Sequence, residues 1–133
     1  MHDIDTTALL DFVFSHYHES LKSSERAHQF LQAIGFDQQR YIEQLYLGYS
    51  DRTLGFQLPD GATAEGAAIR GALVRLGLLK ASGHELLRGC VVFPLRRSCG
   101  AVIGSYAFLL KEFEHAGRLK PLSWVADFTG NPA

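Results

Sequence analysis

The side chains able to do chemistry are few, and their spacing argues against most reactions. Phosphoryl transfer with two metal ions needs clustered carboxylates that hold the ions about 3.5–4 Å apart. Asp3-Ile4-Asp5 has the form of such a pair, but it sits at a terminus where fraying is expected rather than at a strand end, so it reads as incidental. His16, His18 and Glu19 with His28 suggest a metal or acid–base group. At i, i+2, however, His16 and His18 face different sides of a helix, and a solvated surface is expected. His84 beside Glu85 resembles a general base, yet the sequence brings no Ser or Cys nucleophile near it and it reads as a turn residue. Cys90 alternates with Val92 along an apolar run and reads as a packed thiol. Cys90 and Cys99 lie nine positions apart, match no zinc spacing and are expected to be reduced. The stretch from Gly55 to Gly66 lacks the Gly-Lys-Ser/Thr ending of a phosphate loop. No catalytic residue, metal or cofactor is therefore expected, and the chain is expected not to be an enzyme on its own.

Charge is more informative than any single motif. The formal net charge is −1. Residues 1–69 carry four Lys/Arg against ten Asp/Glu, giving −6, whereas residues 70–133 carry nine against four, giving +5. A basic half facing a polyanion matters only if its side chains converge in space. Candidates for phosphate contacts are Arg88, Arg96, Arg97 and Lys111, with Arg70 and Arg75 further away in sequence.

These residues must be positioned by one small domain. A chain of 133 residues, 47% hydrophobic and 20% charged, fits a single core spanning residues 1–133 that needs no disulfide or structural metal to fold. No basic and apolar leader opens the sequence, and no apolar run reaches the ~20 residues of a membrane span. A cytoplasmic location without membrane contact is the expectation.

Helices come first, over residues 6–79. Leu9, Leu10, Phe12, Val13, Phe14, Tyr17 and Leu21 recur at helical spacing after Thr6 or Thr7 as N-cap. Ser23 or Ser24 opens a second helix with Ala27, Phe30, Leu31 and Ile34 on one stripe and Gly35 as its stop, so the two are expected to form a helical hairpin. Asp37 is expected to cap a short helix ended by Gly48. Residues 50–63 read as a loop. A fourth helix runs from Thr63 to Gly77. The texture changes beyond Leu79, and residues 80–110 read as a hairpin of Cys90–Leu95 and Ala101–Phe108. Pro94 requires an edge or a bulge there. In the tail, residues 111–133, Lys111 to Gly117 suggest one or two helical turns, Pro121 breaks them, and Trp124, Val125 and Phe128 pack back. The fold class is α+β: about four helices, then a small antiparallel sheet.

The run Gly83-His84-Glu85-Leu86-Leu87-Arg88-Gly89-Cys90-Val91-Val92-Phe93-Pro94-Leu95-Arg96, followed by Gly100-Ala101-Val102-Ile103-Gly104, resembles a bacterial DnaG-type DNA primase pattern. There a basic and aromatic run leads into Arg-Val-Met-Phe-Pro-Ile-Arg-Asp and then Gly-Arg-Val-Ile-Gly. Upstream, Leu31-Gln32-Ala33-Ile34-Gly35, Leu47-Gly48-Tyr49-Ser50 and Leu76-Gly77-Leu78-Leu79 fall where primases carry Tyr-Leu-x-x-Arg-Gly, Leu-Gly-Tyr-Ala and Ala-Gly-Leu. The resemblance covers roughly residues 8–108 and is greatest to the divergent primases of mobile elements.

The resemblance implies the N-terminal subdomain of the RNA-polymerizing core, between a zinc ribbon and the TOPRIM subdomain that holds the metals, neither of which is expected in this chain. It also implies that basic side chains line a track for template and primer. Two family arginines map onto Arg88 and Arg96. Four other positions depart from the pattern: Leu86 and Cys90 replace arginines, Arg97 replaces an acidic residue, and Ala107-Phe108 replaces Gly-Arg. A primase-like module binding single-stranded DNA, primer–template or a replication partner is one expectation. A mobile-element decoy or inhibitor that engages a protein partner through the same scaffold is the other.

Overall fold

The computed structural model describes residues 4–128, in which helices and a four-stranded antiparallel sheet share two apolar cores. Helix α1 spans Thr6–Lys22, α2 Glu25–Ile34 and α3 Gln39–Gln44. A two-residue strand β1, Gly48–Tyr49, precedes the single turn α4, Leu54–Gln57, and helix α5, Ala64–Arg75. Strands β2, Cys90–Arg96, and β3, Val102–Leu109, form the expected hairpin, which leads into α6, Leu110–Ala116, and β4, Pro121–Val125. The sheet order is β1-β2-β3-β4.

Local chemistry sets most helix ends. Asp5, not Thr6 or Thr7, caps α1 by accepting from the Ala8 N–H at 3.1 Å, which gives half of the Asp-x-Asp pair a structural job; Asp3 lies outside the described residues. Ser24 caps α2 and Thr63 caps α5 through the same N3 contact, the geometry that favours short oxygen side chains there. Gly35, at φ 83°, closes α2 in the left-handed conformation, which costs a residue without Cβ little. Two further expectations fail. Gln38 rather than Asp37 opens α3, without a side-chain cap. Gly48 does not end α3 but begins β1.

That glycine explains why α1 packs mainly on the sheet. A Cβ on Gly48 would stand 2.7 Å from the Tyr17 Cβ, so β1 lies directly against α1. Only the end of α1 joins α2, through Leu21 in the cluster of Ala27, Phe30 and Leu31, and the expected hairpin of two mutually packed helices gives way to two helices sharing a sheet. Alternation along the strands divides the two cores. Cys90, Val92, Ala107 and Trp124 join α1 and α5 in one. Val91, with Phe93 and Phe108 at its margin, joins α2, α3 and α6 in the other.

β2 is paired on both sides only at Val91 and Val92, so Pro94 occupies an edge, and the register shifts beside it between Leu95 and Arg96. The tail holds a strand where Pro121 suggests a break: Pro121 begins β4, where a missing N–H is tolerated, and β4 pairs with β3 throughout. Trp124 is buried, stacks on Phe14 and donates to the Leu76 carbonyl at 2.7 Å. Val125 and Phe128 stay exposed, contrary to expectation. The loop over residues 50–63 contains α4. Among the described residues, no helix is long and apolar enough to cross a membrane.

Candidate functional site

In an antiparallel sheet, successive strands enter and leave at alternate ends. The end of β1, the start of β2, the end of β3 and the start of β4 therefore lie together. The flanking segments carry Arg52, Arg88, Lys111 and Lys120, and the turn after α5 adds Lys80. These five side chains ring a groove of about 400 Å³ floored by Leu86, Cys90, Leu109, Pro121 and Leu122, with no acidic residue in its lining.

Each wall has a local cause. The chain turns back after α5 as Lys80 N–H donates to the His84 carbonyl at 2.8 Å and Leu86 N–H to Leu78 at 2.9 Å. Arg88 is fixed by Nη1 donating to the Glu85 carbonyl at 2.9 Å. Arg52 has φ 69°, unusual for a residue with a side chain. Its guanidinium lies beside Gly89, which itself has φ 75°. Such backbone conformations persist where surrounding structure enforces them, often at binding sites. Here the Ser50 carbonyl accepts from Gly89 N–H at 2.8 Å, and Ser50 N–H donates to Cys90 at 3.0 Å.

Of the sequence candidates, Arg88 and Lys111 come together in the groove. Arg96 and Arg97 lie at the opposite end of β2. Arg96 donates to the Gln44 carbonyl at 3.1 Å and lies over the Tyr46 ring, and Arg97 lies over Phe128. Arg70 holds the α4–α5 loop through the Pro59 and Gly55 carbonyls. Arg75 is exposed near the end of α5. Sequence reasoning missed Lys80 and Lys120 within the basic half, and Arg52 within the acidic half. For Arg52, proximity to the Leu-Gly-Tyr match was the only available signal.

The titratable groups near the groove are occupied or masked. Burial, offset only in part by Arg88, pushes the Cys90 thiol up to about 11, so it is a packed thiol rather than a nucleophile. Glu85 is 7% exposed, and its Oε1 accepts from Tyr17 at 3.3 Å and Ser50 at 2.9 Å. Burial and then the Glu85 charge hold the Tyr17 phenol well above its ordinary value, so it stays a donor. His84 is exposed and bonded to Ser82. His18 corrects an expectation: it is 3% exposed, pairs with the Leu47 carbonyl at 2.7 Å and stacks on Tyr46. Among the described residues, no three His, Cys, Asp or Glu side chains gather to hold a metal ion. The described residues therefore offer no carboxylate cluster of the kind a two-metal centre needs.

The backbone aligns with the E. coli primase catalytic core at TM-score 0.72 and 21% identity, over 93% of this chain and 39% of that one. The fold is that of one part of the primase catalytic core. A DnaG primase catalytic domain bound to ssDNA matches at TM-score 0.69 and 23% identity, over 92% of this chain and 39% of that one. The zinc-binding and RNA polymerase domains of the Aquifex aeolicus primase match at TM-score 0.69 and 19% identity, over 92% and 29%. No protein-family model and no curated protein matches the sequence. This primase-core fold thus spans about two-fifths or less of the length of those structures. Two of the four departures from the primase pattern, Leu86 and Cys90, lie on the groove floor, where the expected arginines are replaced by apolar surface and the cations come from the rim.

Proposed function

We propose that this chain is a primase-derived module that binds single-stranded nucleic acid, or the single-stranded part of a primer–template, and performs no phosphoryl transfer by itself. The observation that carries this reading is the convergence of Arg52, Lys80, Arg88, Lys111 and Lys120 from five separate segments around one groove without a carboxylate. Neutralising phosphates with such side chains supplies most sequence-independent affinity, and the apolar floor offers surface to unstacked bases. A neighbour with the same fold is a primase domain bound to ssDNA. The absence of gathered metal ligands among the described residues supports a binding rather than catalytic role.

Fluorescence anisotropy with a labelled single strand tests it. Affinity better than about 10⁻⁴ M at low salt is expected, falling about tenfold or more in the Arg88→Ala, Lys111→Ala double variant and unchanged in Arg75→Ala. Weaker binding than that, or equal losses in both variants, overturns the reading.

One observation favours the other reading, an interaction protein of mobile-element origin acting as decoy or inhibitor. Among the described residues, β4 has no strand on its outer side, carries no charge and leaves Val125 73% exposed. Open, uncharged edges invite another chain. A host protein retained by the wild type and lost with Val125→Lys would support it.

A further inference from the structure

Beside the basic groove lies a second pocket of about 340 Å³, lined by Arg52, Gly55, Gly83, His84, Glu85 and Arg88. It shares Arg52 and Arg88 with the groove, so a strand whose phosphates follow the groove brings a base to its mouth. The rim is open, since a Cβ on either Gly55 or Gly83 would meet nothing within 4 Å. Glu85 is the one acidic residue in this lining. Its Oε1 is occupied by two hydroxyl donors, Tyr17 and Ser50. Among the described residues its Oε2 has no hydrogen-bond partner, and no fully buried side-chain oxygen lacks one, so Oε2 keeps some contact with solvent.

A carboxylate in a lining that also holds two arginines suits a ligand that is anionic at one point and a hydrogen-bond donor at another. A lone carboxylate flanked by two cations is a poor seat for a metal ion. A nucleotide with an exocyclic amino group meets both conditions, because its phosphate answers the arginines and its amino group answers Glu85. Cytosine presents such a donor at N4, where thymine presents the O4 acceptor. We infer that Glu85 reads a base of the bound strand and favours cytosine over thymine. The inference rests on the groove being a nucleic-acid track.

The two pyrimidines allow a matched test, with oligo-dC and oligo-dT of about ten nucleotides at slightly alkaline pH, where oligo-dC stays a single strand. Wild type should bind oligo-dC about tenfold more tightly, the scale of a hydrogen bond to a charged group. Glu85→Gln is nearly isosteric. Its amide oxygen takes the position facing the Tyr17 and Ser50 hydroxyls, so its NH₂ points into the pocket. The variant should therefore reverse the preference toward oligo-dT, with an unchanged circular dichroism spectrum reporting the intact fold. Equal, salt-dependent binding of both oligonucleotides by the wild type overturns the inference and leaves the groove reading standing. So does a preference for oligo-dC retained by Glu85→Gln. Failure of both oligonucleotides to bind overturns the two together.

Discussion

Neighbouring positions in sequence hold side chains of very different duties. Glu85 is buried and shared between Tyr17 and Ser50, whereas Arg88, three residues on, faces the groove while tied to the Glu85 carbonyl. Arg88 was legible as a groove residue because its motif is local. Arg52 was not, because its place in the groove depends on a left-handed backbone and on β1 pairing with the distant β2, which brings it beside Gly89. The two cysteines separate just as sharply. Cys90 is buried with its thiol pushed up to about 11, and Cys99 is exposed in the β2–β3 turn. Native protein treated with iodoacetamide near neutral pH should therefore take up label at Cys99 only, as read by peptide mass, with Cys90 reacting after unfolding. The raised pKa also sets a sign. An unfolded thiol ionises first, so the stability from burying a neutral Cys90 is full below about pH 9 and is lost as pH rises toward 11.

At the scale of elements, the strongest local signals were helix ends. Ser24, Thr63 and Gly35 act as their residue types predict. The weakest were elements that exist because of a distant partner. β1 has two residues, too few for periodicity, and is a strand only because β2 pairs with it. β4 was hidden behind a proline that suits a strand's first position. The start of α5 shows how tightly a loop and a helix can be joined. Thr63 accepts from Gly66 N–H and donates to the Asp60 carbonyl, while a Cβ on Gly66 would collide with that same carbonyl. In urea unfolding, Thr63→Ala should cost about 1 kcal/mol through the lost cap. Gly66→Ala should cost more, about 2–3 kcal/mol, since backbone must shift to admit the methyl group.

For the whole molecule, the decisive fact is that the sheet's antiparallel order collects cations from one end and leaves Arg96 and Arg97 at the other. Counterion release makes this measurable. Each phosphate contact to a single strand contributes a slope of about −0.7 in log affinity against log salt. Removing Arg52 and Lys111 together should flatten that slope by about 1.4 units. Arg70→Ala should leave it unchanged and lower thermal stability, because Arg70 spends its donors on the Pro59 and Gly55 carbonyls. An equal flattening by Arg70→Ala would mean that charge acts without regard to place.

The sequence by itself determined the order of helices before hairpin, the caps of α2 and the N-cap of α5, the edge position of Pro94 and the basic character of the second half. All of these depend on residues close together along the chain, where spacing and residue type fix geometry directly. Only the tertiary structure decided which basic residues form a site. It took Arg70, Arg75, Arg96 and Arg97 out of the groove and added Arg52, Lys80 and Lys120 to it. It also set the Glu85 carboxylate against Tyr17 and Ser50, which occupy one of its two oxygens. Convergence of that kind is set by strand order and by contacts across more than thirty residues, such as Ser50 with Glu85, which no local spacing encodes.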